Sequence, residues 1–126
     1  MEFRSQLGRV RGLGSSHEGA HHFWVQRVTG VALVPLVIWF VFAAMSMVDA
    51  DIETFKTWVG AHYNPVLLIL LIFTMFHHAQ LGLQVVIEDY VHGEAAKITS
   101  LILIKFAAVL IGGSAIFAVI RMTFGS

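Results

Sequence analysis

The chain has 126 residues, 57% of them hydrophobic and only 13% charged, with a mean hydropathy of +0.78. Soluble domains carry charge on about a quarter of their residues, so an ordinary soluble domain is excluded. Eight basic residues balance eight acidic ones, which leaves no basic field for nucleic acid, and the absence of cysteine removes disulfides, thiolate catalysis and iron–sulfur ligation, leaving any metal chemistry to seven histidines and the carboxylates.

Residues 1–27 form a polar segment carrying Arg4, Arg9, Arg11 and Arg27. From Val28 to Val48 run 21 consecutive uncharged residues, enough to cross a hydrocarbon core of about 30 Å as a helix. This first span begins too far into the chain for a cleaved signal peptide, and the leading segment does not read as a transit peptide. The loop that follows holds Asp49, Asp51, Glu53 and Lys56 and is net acidic. A second span, 65–87, opens on Pro65, a residue suited to the first turn of a helix. After a turn from Glu88 to Lys97, a third span, 98–120, is interrupted only by Lys105 and carries the small run Gly112, Gly113, Ser114 and Ala115, which permits close helix approach in lipid.

The expectation is therefore a single all-α membrane domain over 1–126 with three transmembrane helices. One large soluble core is the rejected alternative, because three all-apolar segments in so short a chain leave too few polar residues to cover them. Arginines before the first span and an acidic loop after it place the N terminus in the cytoplasm and the C terminus outside.

The second span holds Thr74, His77, His78, Gln80, Gly82 and Gln84. Polar groups at that depth are costly unless they face other helices or a cofactor, which makes them functional candidates. Thr74, His78 and Gly82 follow the i, i+4 spacing of one helix face, and Gly82 removes bulk one turn from His78. An imidazole beside a bare turn suits a flat macrocycle with iron to ligate. Interhelical hydrogen bonding is the competing reading. The first and third spans contain no histidine, so a bis-histidine haem would need its other ligand from a second chain.

His78-Ala-Gln-Leu-Gly-Leu-Gln-Val-Val-Ile-Glu-Asp89-Tyr90-Val-His92-Gly93, with His22-Phe-Trp-Val-Gln-Arg27-Val-Thr29 before the first span, resembles the small D-type membrane-anchor subunits of succinate dehydrogenase (succinate:quinone oxidoreductase, respiratory complex II). The most specific element is a histidine eleven residues before Asp-Tyr, followed by Val-His-Gly. The resemblance implies a haem b shared with a larger C-type cytochrome b anchor, each chain giving one axial histidine. It assigns that role to His78, with His77 one residue off register as the runner-up. It also implies a ubiquinone site in which Tyr90 donates a hydrogen bond to a quinone carbonyl beside Asp89, and a contact from Arg27 to a haem propionate, with His22 in the same entry segment a second candidate. Implied partners are the C-type anchor, the iron–sulfur and flavoprotein subunits and membrane lipid. The implied location is a bacterial inner membrane, which the lack of a transit peptide favours over a mitochondrial one.

Each assignment has a plainer counterpart. Apart from the resemblance, Tyr90 reads as an aromatic anchor at the membrane surface, Asp89 as a solvated helix-end charge, Arg27 as a topology-setting cation, and His21 and His22 as solvated. Lys105 is expected to extend its amine back to the interface. As a whole the chain competes with three other readings: a haem-free anchor or assembly protein, the related anchor of a fumarate reductase, and a small transporter subunit. The transporter would need internal duplication or paired broken helices, and the sequence has neither.

Overall fold

The computed structural model describes residues 16–125, and over them it contains four helices and no strand. Helix α1 runs Ser16–Ser46, α2 Ile52–Val59, α3 Asn64–Tyr90 and α4 Glu94–Thr123. Three are long and apolar enough to cross a membrane, over Ala20–Ser46, Asn64–Tyr90 and Glu94–Thr123. Arg4, Arg9 and Arg11, on which the expected orientation largely rests, lie outside the described residues.

Helix α1 starts well before the uncharged run, because a helix continues through polar residues once its interior is anchored; the charge gap marks the apolar stretch and not the helix ends. Pro35 sits inside it and removes one backbone donor. The loop expected between the first two spans contains α2. Asp51 caps that helix, its carboxylate accepting from the Thr54 backbone N–H at 2.8 Å. Asn64 then starts α3 with Pro65 behind it, and its side-chain amide donates to the Trp58 carbonyl at 2.7 Å, tying the two helices together. The connection between α3 and α4 is only Val91–Gly93, shorter than the turn read from the charges.

Packing is concentrated at the α2 end. Val59, Leu68 and Val119 are buried there, with Trp39, Trp58, Ile69, Ile72 and Met122 packed around them. The indoles of Trp39 and Trp58 stack at 6.0 Å with 17° between their planes. Gly60, just past α2, lies on the backbone of Met122 and Thr123. Further along, α3 and α4 meet where Gly112 lies against Phe76. Among the described residues the backbone of α1 approaches that of α3 and not that of α4, so α3 is the central helix of a row. Residues 20–46 of α1 include none that is buried. Lipid tails are as apolar as leucine, so these helices associate by shape and polar contacts and not by hiding apolar surface from water.

Candidate functional site

Thr74 and His78 lie on one stripe of α3 with Leu71 and Leu81, and of these Leu71, Thr74 and Leu81 are buried. His78 is half-buried and reaches α1, where its Nδ1 lies 3.0 Å from the Thr29 hydroxyl oxygen. The same hydroxyl lies 2.8 Å from the Val25 carbonyl and 3.0 Å from the Gln26 carbonyl. Gly30, the next residue, leaves room for the ring: a Cβ at that position would stand 3.4 Å from His78 Cε1. One turn past His78, a Cβ on Gly82 would meet nothing within 4 Å, so the space beside that turn is open.

His77 takes a different direction, since adjacent helical residues diverge by about 100°. Its ring stacks on Phe73 at 5.9 Å and lines a cleft of about 490 Å³ between α3 and α4, with Gln80, Lys105, Gly112 and Gly113 among the walls. Gln80 donates to Gln84 at 3.3 Å along the same helix. The two adjacent histidines therefore serve different sides of α3, one toward α1 and one toward the α4 cleft.

The end of α3 carries Asp89 and Tyr90, both exposed, Tyr90 at 74%. The antiparallel run of α1 puts its N-terminal turns at that same end. There Arg27 is exposed and holds its guanidinium 4.7 Å from the centre of the Phe23 ring. Arg27 and Thr29 are about 200° apart around the helix, so Arg27 points away from the seam with α3, whereas His22, seven residues before Thr29, returns to the Thr29 side. His22 Nε2 and Gln26 Oε1 are buried there and have no hydrogen-bond partner among the described residues.

Thr29 closes the His22–Thr29 stretch that carries the resemblance, but neither it nor Gly30 bears a sequence signal of a contact with His78. Their depth matches that of His78 only once the two helices are set antiparallel. No group of three or more His, Asp or Glu that could hold a metal ion occurs among the described residues. Such a cluster is not what a haem requires, since its iron takes one or two axial side chains.

Residues 1–112 match the family described as succinate dehydrogenase/fumarate reductase transmembrane subunit. The chain is 30% identical over 109 residues to the succinate dehydrogenase hydrophobic membrane anchor subunit of Rickettsia bellii, covering 86% of this chain and 87% of that one. Against the subunit of the same name from Paracoccus denitrificans it is 28% identical over 126 residues, covering 100% and 97%. The succinate dehydrogenase membrane anchor subunit of Porphyra purpurea is 35% identical over 109 residues, covering 86% and 90%. No solved structure matches the chain significantly.

Proposed function

The chain belongs to the family of succinate dehydrogenase and fumarate reductase transmembrane subunits, and we propose that within it His78 supplies one axial ligand to a haem b shared with a second anchor chain, while Tyr90 and Asp89 form part of a ubiquinone-reduction site. The coarser role stands on the family itself: a multi-pass membrane anchor of succinate dehydrogenase, part of an enzyme complex without being its catalytic subunit. Its partners are the other subunits of that complex and the membrane.

The observation that carries the haem reading is that α1 engages His78 through one ring nitrogen only, beside an open turn at Gly82. The residues fit the group: a half-buried imidazole with one nitrogen uncommitted, and a bare stretch of helix to lie against. When bound, haem b supplies a one-electron centre. His78 would hold it from this side, and His22, whose buried Nε2 has no partner among the described residues, would be the α1 side chain placed to meet a propionate on the Thr29 face, whereas Arg27, turned away from that seam, would reach one only by swinging its side chain off Phe23.

Quinone reduction consumes two protons, which sets what Tyr90 and Asp89 must do. A phenol at the end of a helix can donate a hydrogen bond to a carbonyl and take its proton back from water, which a phenol at mid-membrane cannot. Tyr90 is exposed, so a head group brought by a neighbouring subunit can reach it, and Asp89 beside it offers a carboxylate to relay or orient a proton. We assign this end to the cytoplasmic side, from the arginines that precede α1.

The test is the reduced-minus-oxidised spectrum of the purified complex. His78→Ala is expected to abolish or displace the b-type band, and His77→Ala to leave it in place. An unchanged band in His78→Ala overturns the ligand assignment.

A further inference from the structure

The geometry points to Thr29 as a positioning residue that fixes the proton and the orientation of the His78 ring and thereby sets how strongly its other nitrogen binds iron. This rests on His78 being an axial ligand.

The proton count is constrained by the neighbours of one hydroxyl. Thr29 has a single O–H proton and two lone pairs. Two of its three contacts, Val25 O at 2.8 Å and Gln26 O at 3.0 Å, are carbonyls that can only accept. With the proton spent on the nearer carbonyl, the 3.0 Å contact to His78 Nδ1 must carry the histidine's own N–H. The ring is then the neutral tautomer protonated at Nδ1, and Nε2 presents a bare lone pair.

The opposite assignment sends the hydroxyl proton to Nδ1 and puts the histidine proton on Nε2. That leaves an N–H with no acceptor among the described residues, and a bilayer has no water to satisfy such a donor. The relay His78 N–H to Thr29 O–H to Val25 carbonyl leaves only an acceptor unfilled, and that acceptor is what a metal takes.

Gly30 completes the arrangement. A side chain larger than methyl at that position would stand between the ring and α1, since even a Cβ lies 3.4 Å from Cε1. The ring is therefore held from the neighbouring helix along its Nδ1–Cε1 edge. A ligating histidine that donates its second N–H to an oxygen is fixed in orientation and made a more basic ligand. A more basic ligand favours the oxidised iron and lowers its reduction potential.

The experiment uses the intact purified complex with Thr29→Val, which keeps the shape and removes the acceptor, and Thr29→Ser, which restores it. The readouts are the midpoint potential of the b-type haem by redox titration and the g-value spread of its low-spin EPR signal. Thr29→Val is expected to raise the potential and alter the g values, changing the oxidised-to-reduced ratio at fixed poise about tenfold, with Thr29→Ser near wild type. Thr29→Ala provides the same reading if the valine variant does not assemble. A valine or alanine variant with wild-type potential and g values overturns the role of Thr29. Loss of the band in His78→Ala together with that outcome sinks this inference alone, whereas retention of the band in His78→Ala sinks the ligand reading beneath it.

Discussion

Gly112 lies so close to Phe76 that a Cβ added to the glycine would stand 3.3 Å from the ring's Cγ. Helices α3 and α4 owe their approach at this level to the missing side chain. Gly113, the next residue, has nothing within 4 Å of the same hypothetical atom. Substituting the two should therefore have unequal effects. Gly112→Leu is expected to destabilise the assembled subunit by about 1–3 kcal/mol through overpacking, while Gly113→Ala leaves its thermal transition in detergent unchanged. Equal transitions for the two variants would contradict this packing.

At the other end of the bundle, Gly60 meets backbone and not a movable side chain. A Cβ there would be 3.2 Å from Thr123 Cα and 3.5 Å from the Met122 carbonyl oxygen. Gly60→Ala should separate the α2 end from α4, lower thermal stability, and raise proteolytic cleavage near residues 60–64. His62 nearby adopts a left-handed backbone, φ 54°, which histidine tolerates and a β-branched residue does not. His62→Val is accordingly expected to cost about 1–2 kcal/mol and His62→Gly much less, by the same thermal measurement.

Tyr90→Phe removes one hydroxyl from an exposed helix end and nothing from the interior. Turnover with ubiquinone is expected to fall by about 5- to 150-fold, the kinetic equivalent of losing one hydrogen bond of about 1–3 kcal/mol at the reacting carbonyl. Haem content and succinate oxidation with an artificial electron acceptor should be preserved. Unaltered ubiquinone turnover would return Tyr90 to the role of an interfacial aromatic.

The cap of α2 carries a pH signature. Hydrogen bonds from the side chain and backbone N–H of Thr54 hold the Asp51 carboxyl below its ordinary value. A carboxyl depressed by folding contributes stability that is fully present above its unfolded value, about 3.9, and is lost as pH falls through the lower folded value. Hydrogen exchange of residues 52–59, corrected for intrinsic rates, should show protection above about pH 4 that declines on further acidification. Asp51→Asn keeps an accepting oxygen and should flatten this dependence; Asp51→Ala should reduce protection throughout.

The three spans were legible because a bilayer imposes a single coarse rule, a long uncharged run, which residues 28–48 satisfy outright. The family could be read from residues because Asp89-Tyr90 and His78 keep their spacing along one helix, where sequence distance is spatial distance. Helix α2 was missed because Ile52–Val59 is too short for a hydropathy window and sits among charges, its one signal being the Asp51 cap. The contacts that Thr29 and Gly30 make with His78 were not legible for a different reason. Their importance arises from a pairing across 49 positions of sequence, and single-sequence periodicity reports faces within a helix without saying which faces meet.

The row of helices with α3 at its centre has a consequence for how this protein is made. Away from the buried cluster at the α2 end, a row one helix thick encloses little interior, and its broad sides stay open. An orphaned copy would leave the cleft lined by His77, Gln80 and Lys105 facing lipid, which costs free energy where no partner satisfies those groups. The cellular level of this protein should therefore follow the supply of its partners more closely than its own rate of synthesis, with unpaired copies removed.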